Sequence, residues 1–151
     1  MRRLARGMGS ELGFSLIELL IVMVIIGILA AIAIPMFLGQ SKHADDADAK
    51  SNARNLAIEV ESCFTPNQDF TQCQTAADLD GADGLDWGSG PGQVKVVSTT
   101  KNSYVVTAVS KATTGGANHT FTITRTIGGD STFTCTAGAG NNAGGCKGGT
   151  W

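Results

Sequence analysis

Glu18 is the residue whose type and position most clearly suggest chemistry, because it is an acid inside a long apolar segment. Between Phe14 and Ile34 only Ser15 and Glu18 are polar. A carboxylate inside a membrane span costs on the order of 2–3 kcal/mol, so such an acid is a functional candidate by default. The alternative interpretation is that Glu18 lies near one end of the span and extends to the lipid headgroups.

The cysteines form the second group with possible chemistry. There are four of them, and all lie after the apolar segment: Cys63, Cys73, Cys135 and Cys146. An even number in this part of the chain is typical of disulfides in an oxidising, extracytoplasmic compartment. Of the three possible pairings we favour Cys63–Cys73 and Cys135–Cys146, each closing a loop of about ten residues worth roughly 2.5–3 kcal/mol. Zinc is disfavoured, because neither a Cys-x-x-Cys pair nor suitable histidine spacing is present.

A run of aspartates resembles a calcium loop in composition but not in spacing. The segment DLDGADGLD places oxygen ligands near glycine turns, at Asp78, Asp80, Asp83 and Asp86. Ala82 occupies the place of a third ligand, and no glutamate follows at the twelfth position. We interpret these residues as solvated aspartates that cap turns. The sequence therefore predicts no strong metal site and no cofactor.

No set of residues suggests catalysis. His43 and His119 are the only histidines, and neither belongs to a nucleophile–base–acid set, so both are predicted to lie on the surface and no enzyme is indicated. Asn118-His119-Thr120 is a formal N-glycosylation sequon that we interpret as the end of a turn. The net charge of −2 gives no reason to expect a nucleic-acid partner.

Helical periodicity continues beyond the apolar segment. Small and apolar residues recur at steps of three and four, at Ala49, Ala53, Leu56, Val60 and Phe64. We therefore predict one long helix over residues 14–64, interrupted near Pro35 and Gly39. Asp46 and Lys50 are predicted to form a supporting pair on the face opposite the apolar stripe.

The sequence after residue 64 predicts a loop followed by a β-sheet. Glycine and proline mark residues 65–92 as a loop, within which Thr75 and Asp78 form a capping box. Four strands are predicted at Gln93–Ser98, Tyr104–Lys111, His119–Ile127 and Ser131–Thr136. Gly128-Gly129 is predicted to be a two-residue hairpin turn, and Thr113–Asn118 a longer loop. The fold class is thus α+β, with a long N-terminal α-helix packed on a four-stranded antiparallel β-sheet.

The N-terminus resembles that of type IV pilins and pseudopilins. The resemblance rests on the Gly13-Phe14 junction, on the residues Ser15, Leu16, Ile17, Glu18 and Leu19, and on the apolar run closed by Pro35. It implies that a prepilin peptidase cuts between Gly13 and Phe14 and that the new amine of Phe14 is methylated. The loop bounded by the C-terminal cysteine pair also resembles the disulfide-bounded loop of many pilins.

The resemblance at the N-terminus and the patterns in the rest of the sequence together divide the chain into six parts. These are a cleaved leader (1–13), a transmembrane or filament-core helix (14–35), its amphipathic continuation (36–64), a connecting loop (65–92), the sheet (93–136) and a glycine-rich C-terminal loop (137–151). The glycine-rich composition of the last part predicts that it has no stable conformation without contacts to the rest of the chain.

The implied function is that of a structural subunit of a type IV pilus. Phe14 and Glu18 would be its assembly residues. Its partners would be other copies in a helical homopolymer, the prepilin peptidase, the assembly machinery with its ATPase, and the cytoplasmic membrane before assembly. The final location would be an extracellular filament on the cell surface.

Three other interpretations remain open at this point. A pseudopilin or minor pilin of a type II secretion-like system would share the N-terminus. A membrane-anchored or secreted binding module would not form filaments. A Sec signal peptide is suggested by Ala31-Ile32-Ala33, which imitates a cleavage site, although the long apolar run and Glu18 argue against it.

Overall fold

The computed structural model describes residues 13–79 and 84–151, and it contains one long helix followed by one sheet. The helix α1 spans Leu16–Asn67, and the four strands of the sheet are all antiparallel. The predicted fold class, α+β, is therefore confirmed. Most of the predicted leader, residues 1–12, lies outside the described residues. The chain divides into two compact units, with the boundary between Phe37 and Leu38.

The first unit consists of the apolar part of α1. Its large side chains from Leu16 to Met36 are between 49% and 81% exposed. By length and composition, α1 could cross a membrane. A contiguous apolar surface of this kind marks a site that lipid or another protein covers.

The helical assignment of α1 continues without a break through Pro35 and Gly39, where the sequence predicted an interruption. A proline in a helix interior removes one backbone donor and costs about 3 kcal/mol, and a glycine costs about 1 kcal/mol relative to alanine. These costs do not end α1 here, so the predicted interruption is absent from the helical assignment.

In the second unit, α1 packs on one face of the sheet. Ala49, Ala53, Leu56 and Val60 are buried, and Phe64 is partly buried, so the predicted apolar stripe is confirmed. The sheet supplies the other half of the core from alternate positions on its strands: Val94, Tyr104, Val106, Ala108, Phe121 and Ile123. Small alanines on the helix allow close approach to the larger residues of the sheet.

The sheet is a meander in the order β1-β2-β3-β4. The strands are β1 Val94–Thr100, β2 Ser103–Thr114, β3 Ala117–Arg125 and β4 Ser131–Thr136. All four strands were predicted, and the bounds of β4 are those predicted from its alternation. The others differ by one to three residues at their ends.

The turns at the two ends of β3 are the reverse of those predicted. Thr114 pairs with Ala117, so the tight two-residue turn is Gly115-Gly116, with φ of 63° and 83°. Positive φ at both positions is the type I′ geometry that matches the twist of a hairpin. Gly128 and Gly129 instead lie in the longer connection between Arg125 and Ser131.

The glycine-rich C-terminal loop is held along the outer edge of β4. The backbone N–H of Cys135 donates to the carbonyl of Gly149 at 2.8 Å, and Trp151 Nε1 donates to the carbonyl of Thr134 at 2.8 Å. Thr150 also forms an isolated antiparallel bridge with Thr134. The loop thereby covers an edge that would otherwise expose unpaired backbone groups.

Candidate functional site

Glu18 lies at the start of α1 and contacts the backbone there. The helix begins at Leu16, which places Ser15 at the N-cap and Glu18 at the third helical position. The backbone N–H of Ser15 donates to Glu18 Oε2 at 3.1 Å. This is one half of a capping box, in which the acid satisfies an N–H that no helical carbonyl can reach. The Ser-x-x-Glu spacing was readable in the sequence, but this role of Glu18 was not predicted.

The predicted processing site is accessible. Gly13 and Phe14 precede the helix, and Phe14 is 85% exposed. A Cβ built at Gly13 would meet no atom within 4 Å. The Glu18 carboxylate lies at the N-terminal end of α1, where a helix favours negative charge. Phe14 thus lies four residues before a carboxylate at the start of α1.

Both disulfides favoured from the spacing are present in the structure. Cys63 and Cys73 have their Cα atoms 6.0 Å apart, and Cys135 and Cys146 have theirs 5.8 Å apart. The first disulfide ties the last turns of α1 to the connecting loop. The second ties the C-terminal loop to β4.

A buried Asp46–His119 pair is the feature that the sequence analysis missed. His119 and Asp46 are both wholly buried, so the predictions of a surface histidine and of an outward-facing Asp46 are wrong. Nδ1 of His119 lies 2.9 Å from Asp46 Oδ2, and Nε2 lies 2.8 Å from Thr114 Oγ1. Because an ionised carboxylate only accepts, Nδ1 carries the proton toward Asp46.

Two signals in the sequence could have revealed this pair. Asp46 precedes Ala49 by three residues, so it extends the apolar stripe of α1 rather than facing away from it. His119 precedes Phe121 by two residues, so it shares the inward face of β3.

The same cluster holds the C-terminal loop. The N–H of Gly145 donates to Asp46 Oδ2 at 2.8 Å, and Lys50 Nζ donates to the Gly145 carbonyl at 2.6 Å. Burial lowers the pKa of Lys50, and the nearby charge of Asp46 opposes that shift. A Cβ at Gly144, where φ is +58°, would clash with the Asp46 carboxylate. Glycine at this point therefore lets the loop approach α1 closely.

The asparagine of the sequon is hydrogen-bonded in the folded chain. Asn118 is half-buried, and its Nδ2 donates to the carbonyl of Ser110 at 2.9 Å. The asparagine lies next to the β2–β3 turn, which agrees with its interpretation as the end of a turn.

The aspartate run is described only in part, since Asp80 and Asp83 lie outside the described residues. Asp86 and Asp78 are exposed. Asp78 Oδ2 accepts the Thr75 hydroxyl at 2.8 Å and the Thr75 N–H at 2.9 Å. These two bonds, the hydroxyl first, lower the pKa of Asp78, and they confirm the predicted capping contact. Within residues 13–79 and 84–151 no group of three or more metal-ligating side chains is assembled.

We expect calcium to bind no more tightly than the millimolar range of weak extracellular sites. The physical reason is that the run lacks a complete ligand set, and Asp78 already accepts several hydrogen bonds. Calorimetric titration of the full chain in detergent measures this directly. A micromolar site that Asp80→Ala abolishes, while Asp130→Ala in the β3–β4 connection leaves it intact, would contradict the prediction.

Comparison with known proteins finds matches both to the N-terminal segment and to most of the chain. Residues 8–34 match the family model described as the prokaryotic N-terminal methylation motif. The chain is 31% identical over 134 residues to a fimbrial protein of Pseudomonas aeruginosa, covering 85% of this chain and 86% of that protein. No solved structure matches significantly.

Two further relatives match over shorter lengths. The type IV major pilin protein PilA of Myxococcus xanthus is 41% identical over 69 residues, which is 46% of this chain and 31% of that protein. The type IV major fimbrial protein FimA of Dichelobacter nodosus is 37% identical over 75 residues, which is 48% of this chain and 47% of that protein.

The exposed apolar segment of α1, the disulfide-bonded sheet of the second unit, the methylation motif and the relatives named as pilin or fimbrial proteins define a class of structural subunits rather than of enzymes. The chain belongs to the type IV pilin family.

Proposed function

We propose that this pilin polymerises into a pilus through the apolar part of α1, after cleavage between Gly13 and Phe14 and methylation of the new amine. The observation that carries the proposal is the exposed apolar surface of α1 from Leu16 to Met36. Before assembly this surface lies in the cytoplasmic membrane. After assembly it lies among the helices of neighbouring copies at the centre of the filament.

The transfer from lipid to filament needs a source of specificity. Lipid tails and a core lined with leucine and isoleucine are about equally apolar, so hydrophobicity alone does not choose between them. Van der Waals packing and polar pairing must then set the position of each subunit. Glu18, the acid in this segment, is the residue placed to do so. An assembly ATPase supplies the work of extraction, and the contacts between copies are heterologous, so they continue as a helix.

The proposal predicts the composition of the filaments. Filaments sheared from the cell surface should contain chains that begin at Phe14 and carry a methylated amine, as measured by intact-mass spectrometry and electron microscopy of one preparation. Gly13→Val should leave the chain uncut, because it puts a bulky side chain next to the bond that the peptidase cleaves. A side chain at this position meets no other atom in the described part of the chain, so the substitution should not disturb the fold.

Other outcomes would support the rival interpretations. A chain that begins at Phe14 but stays in the membrane without filaments would indicate a pseudopilin or a minor pilin. A chain that begins near Ile34 would indicate a signal peptide and contradict the proposal.

A further inference from the structure

The part of α1 in the second unit has two flanks of different character. The groove flank borders an apolar groove of about 420 Å³ lined by Arg54, Ala57, Ile58, Glu61, Tyr104, Ile123, Ser131 and Phe133. The acidic flank lies on another side of the helix and consists of Asp45, Asp48, Asn52, Asn55 and Glu59. Both flanks reach the surface of the globular unit.

The groove flank combines exposed apolar area with one cation that lacks an acidic partner. Ile58 is 62% exposed and Phe133 is 36% exposed. The charge of Glu61 is already matched by Arg125, whose Nε lies 2.7 Å from Glu61 Oε1. Arg54 is exposed and lies over the Trp151 ring at 4.7 Å. Among the described residues it has no carboxylate within ion-pair distance.

The acidic flank has the opposite character. Its three carboxylates, Asp45, Asp48 and Glu59, form no ion pair with any side chain in the described ranges. Lys111 of β2 lines the same depression as Asp45 and Asp48, but Asp86 also lines it, so acids remain in excess. Arg54 and Glu59 are five residues apart, which places them roughly 140° from each other around a helix of 3.6 residues per turn. The cation and the acids of one molecule therefore face different neighbours.

We propose that the groove flank of one copy packs against the acidic flank of the next copy. This inference rests on the proposed function, which supplies a second copy as the neighbour. An apolar patch with a polar rim is typical of a protein–protein contact. Because the two complementary surfaces lie on different sides of the same unit, the contact is heterologous and repeats from copy to copy. Charge complementarity between Arg54 and the acids disfavours contacts between two like flanks.

Charge reversal tests the pairing in cells that make the full chain as their sole pilin. Arg54→Glu should lower the yield of sheared filaments about tenfold or more, because juxtaposed like charges are disfavoured by more than the 1.4 kcal/mol that corresponds to a tenfold change. The double reversal of Asp48 and Glu59 to lysine should have a similar effect. Because these two acids are about three helical turns apart, the experiment does not require knowing which of them faces Arg54. Combining all three substitutions should restore most of the yield.

One surface variant serves as a matched control. Lys101→Glu reverses an exposed charge in the connection between β1 and β2, outside the residues that line either flank, and should leave the yield unchanged. Restoration in the triple variant also excludes a folding defect as the cause of the loss, since it retains both sets of substitutions. Normal filaments from Arg54→Glu, or no restoration in the triple variant, would overturn this inference while leaving the proposed function intact. Absence of filaments from the unmodified chain would overturn both.

Discussion

Replacing Glu18 with alanine is expected to leave the chain in the membrane while its incorporation into filaments falls sharply. Removing an acid from an apolar span favours insertion, since a carboxylate there costs on the order of 2–3 kcal/mol. Under the proposed function the loss falls on assembly, because the amine that cleavage creates on Phe14 of an incoming copy would pair with Glu18 of its neighbour. At about 4 Å, such a pair contributes roughly 1 kcal/mol in water and about 4 kcal/mol at an effective dielectric constant of 20. Filament yield measures the effect when this variant is the only pilin present.

The contact between Ser15 and Glu18 makes a sharper control possible. Glutamine at position 18 can still accept the Ser15 N–H as a capping residue, but it carries no charge. If the charge matters for assembly, Glu18→Gln should fail nearly as completely as Glu18→Ala. If only the helix start matters, Glu18→Gln should assemble normally. Normal yield from Glu18→Ala would contradict any assembly role and would leave Glu18 as a residue that extends to the headgroups.

Asp46→Ala is expected to lower the free energy of unfolding by about 3–5 kcal/mol, because it leaves two buried donors, the His119 ring and the Gly145 N–H, without their acceptor at about 1–3 kcal/mol each. For a small domain this corresponds to a fall in Tm of at least about 10 °C. Thermal unfolding of the full chain in detergent, followed by tryptophan fluorescence, measures the change. Trp151 is a suitable reporter because its ring packs on Phe121 and Phe133 in the same region.

Two further variants test whether the loss of stability comes from the buried Asp46–His119 pair or from any substitution on α1. Asp48→Ala removes an exposed acid two residues away and should change stability by no more than about 0.5 kcal/mol. Replacing Asp46 with leucine and His119 with phenylalanine should recover part of the loss, because an apolar pair no longer needs ionic partners. A loss below about 1 kcal/mol for Asp46→Ala would show that the pair makes no net contribution to stability.

Features that depend on short stretches of chain were predictable from the sequence alone. The apolar stripe of α1, the four strands and the Thr75–Asp78 capping contact each arise from spacings of two to four residues. The favoured disulfides are local as well, with sequence separations of 10 and 11 residues. The Gly13-Phe14 junction and Glu18 indicated the family because their spacing lies within a single short motif.

The tertiary structure alone decided where the buried polar groups and the C-terminal loop lie. Asp46 and His119 are 73 residues apart, and Asp46 and Gly145 are 99 residues apart, so no local periodicity brings them together. Glycine-rich sequence has little shape of its own. Its position depends on the edge of β4, on Lys50 and on a buried carboxylate, and these meet only when α1 packs on the sheet.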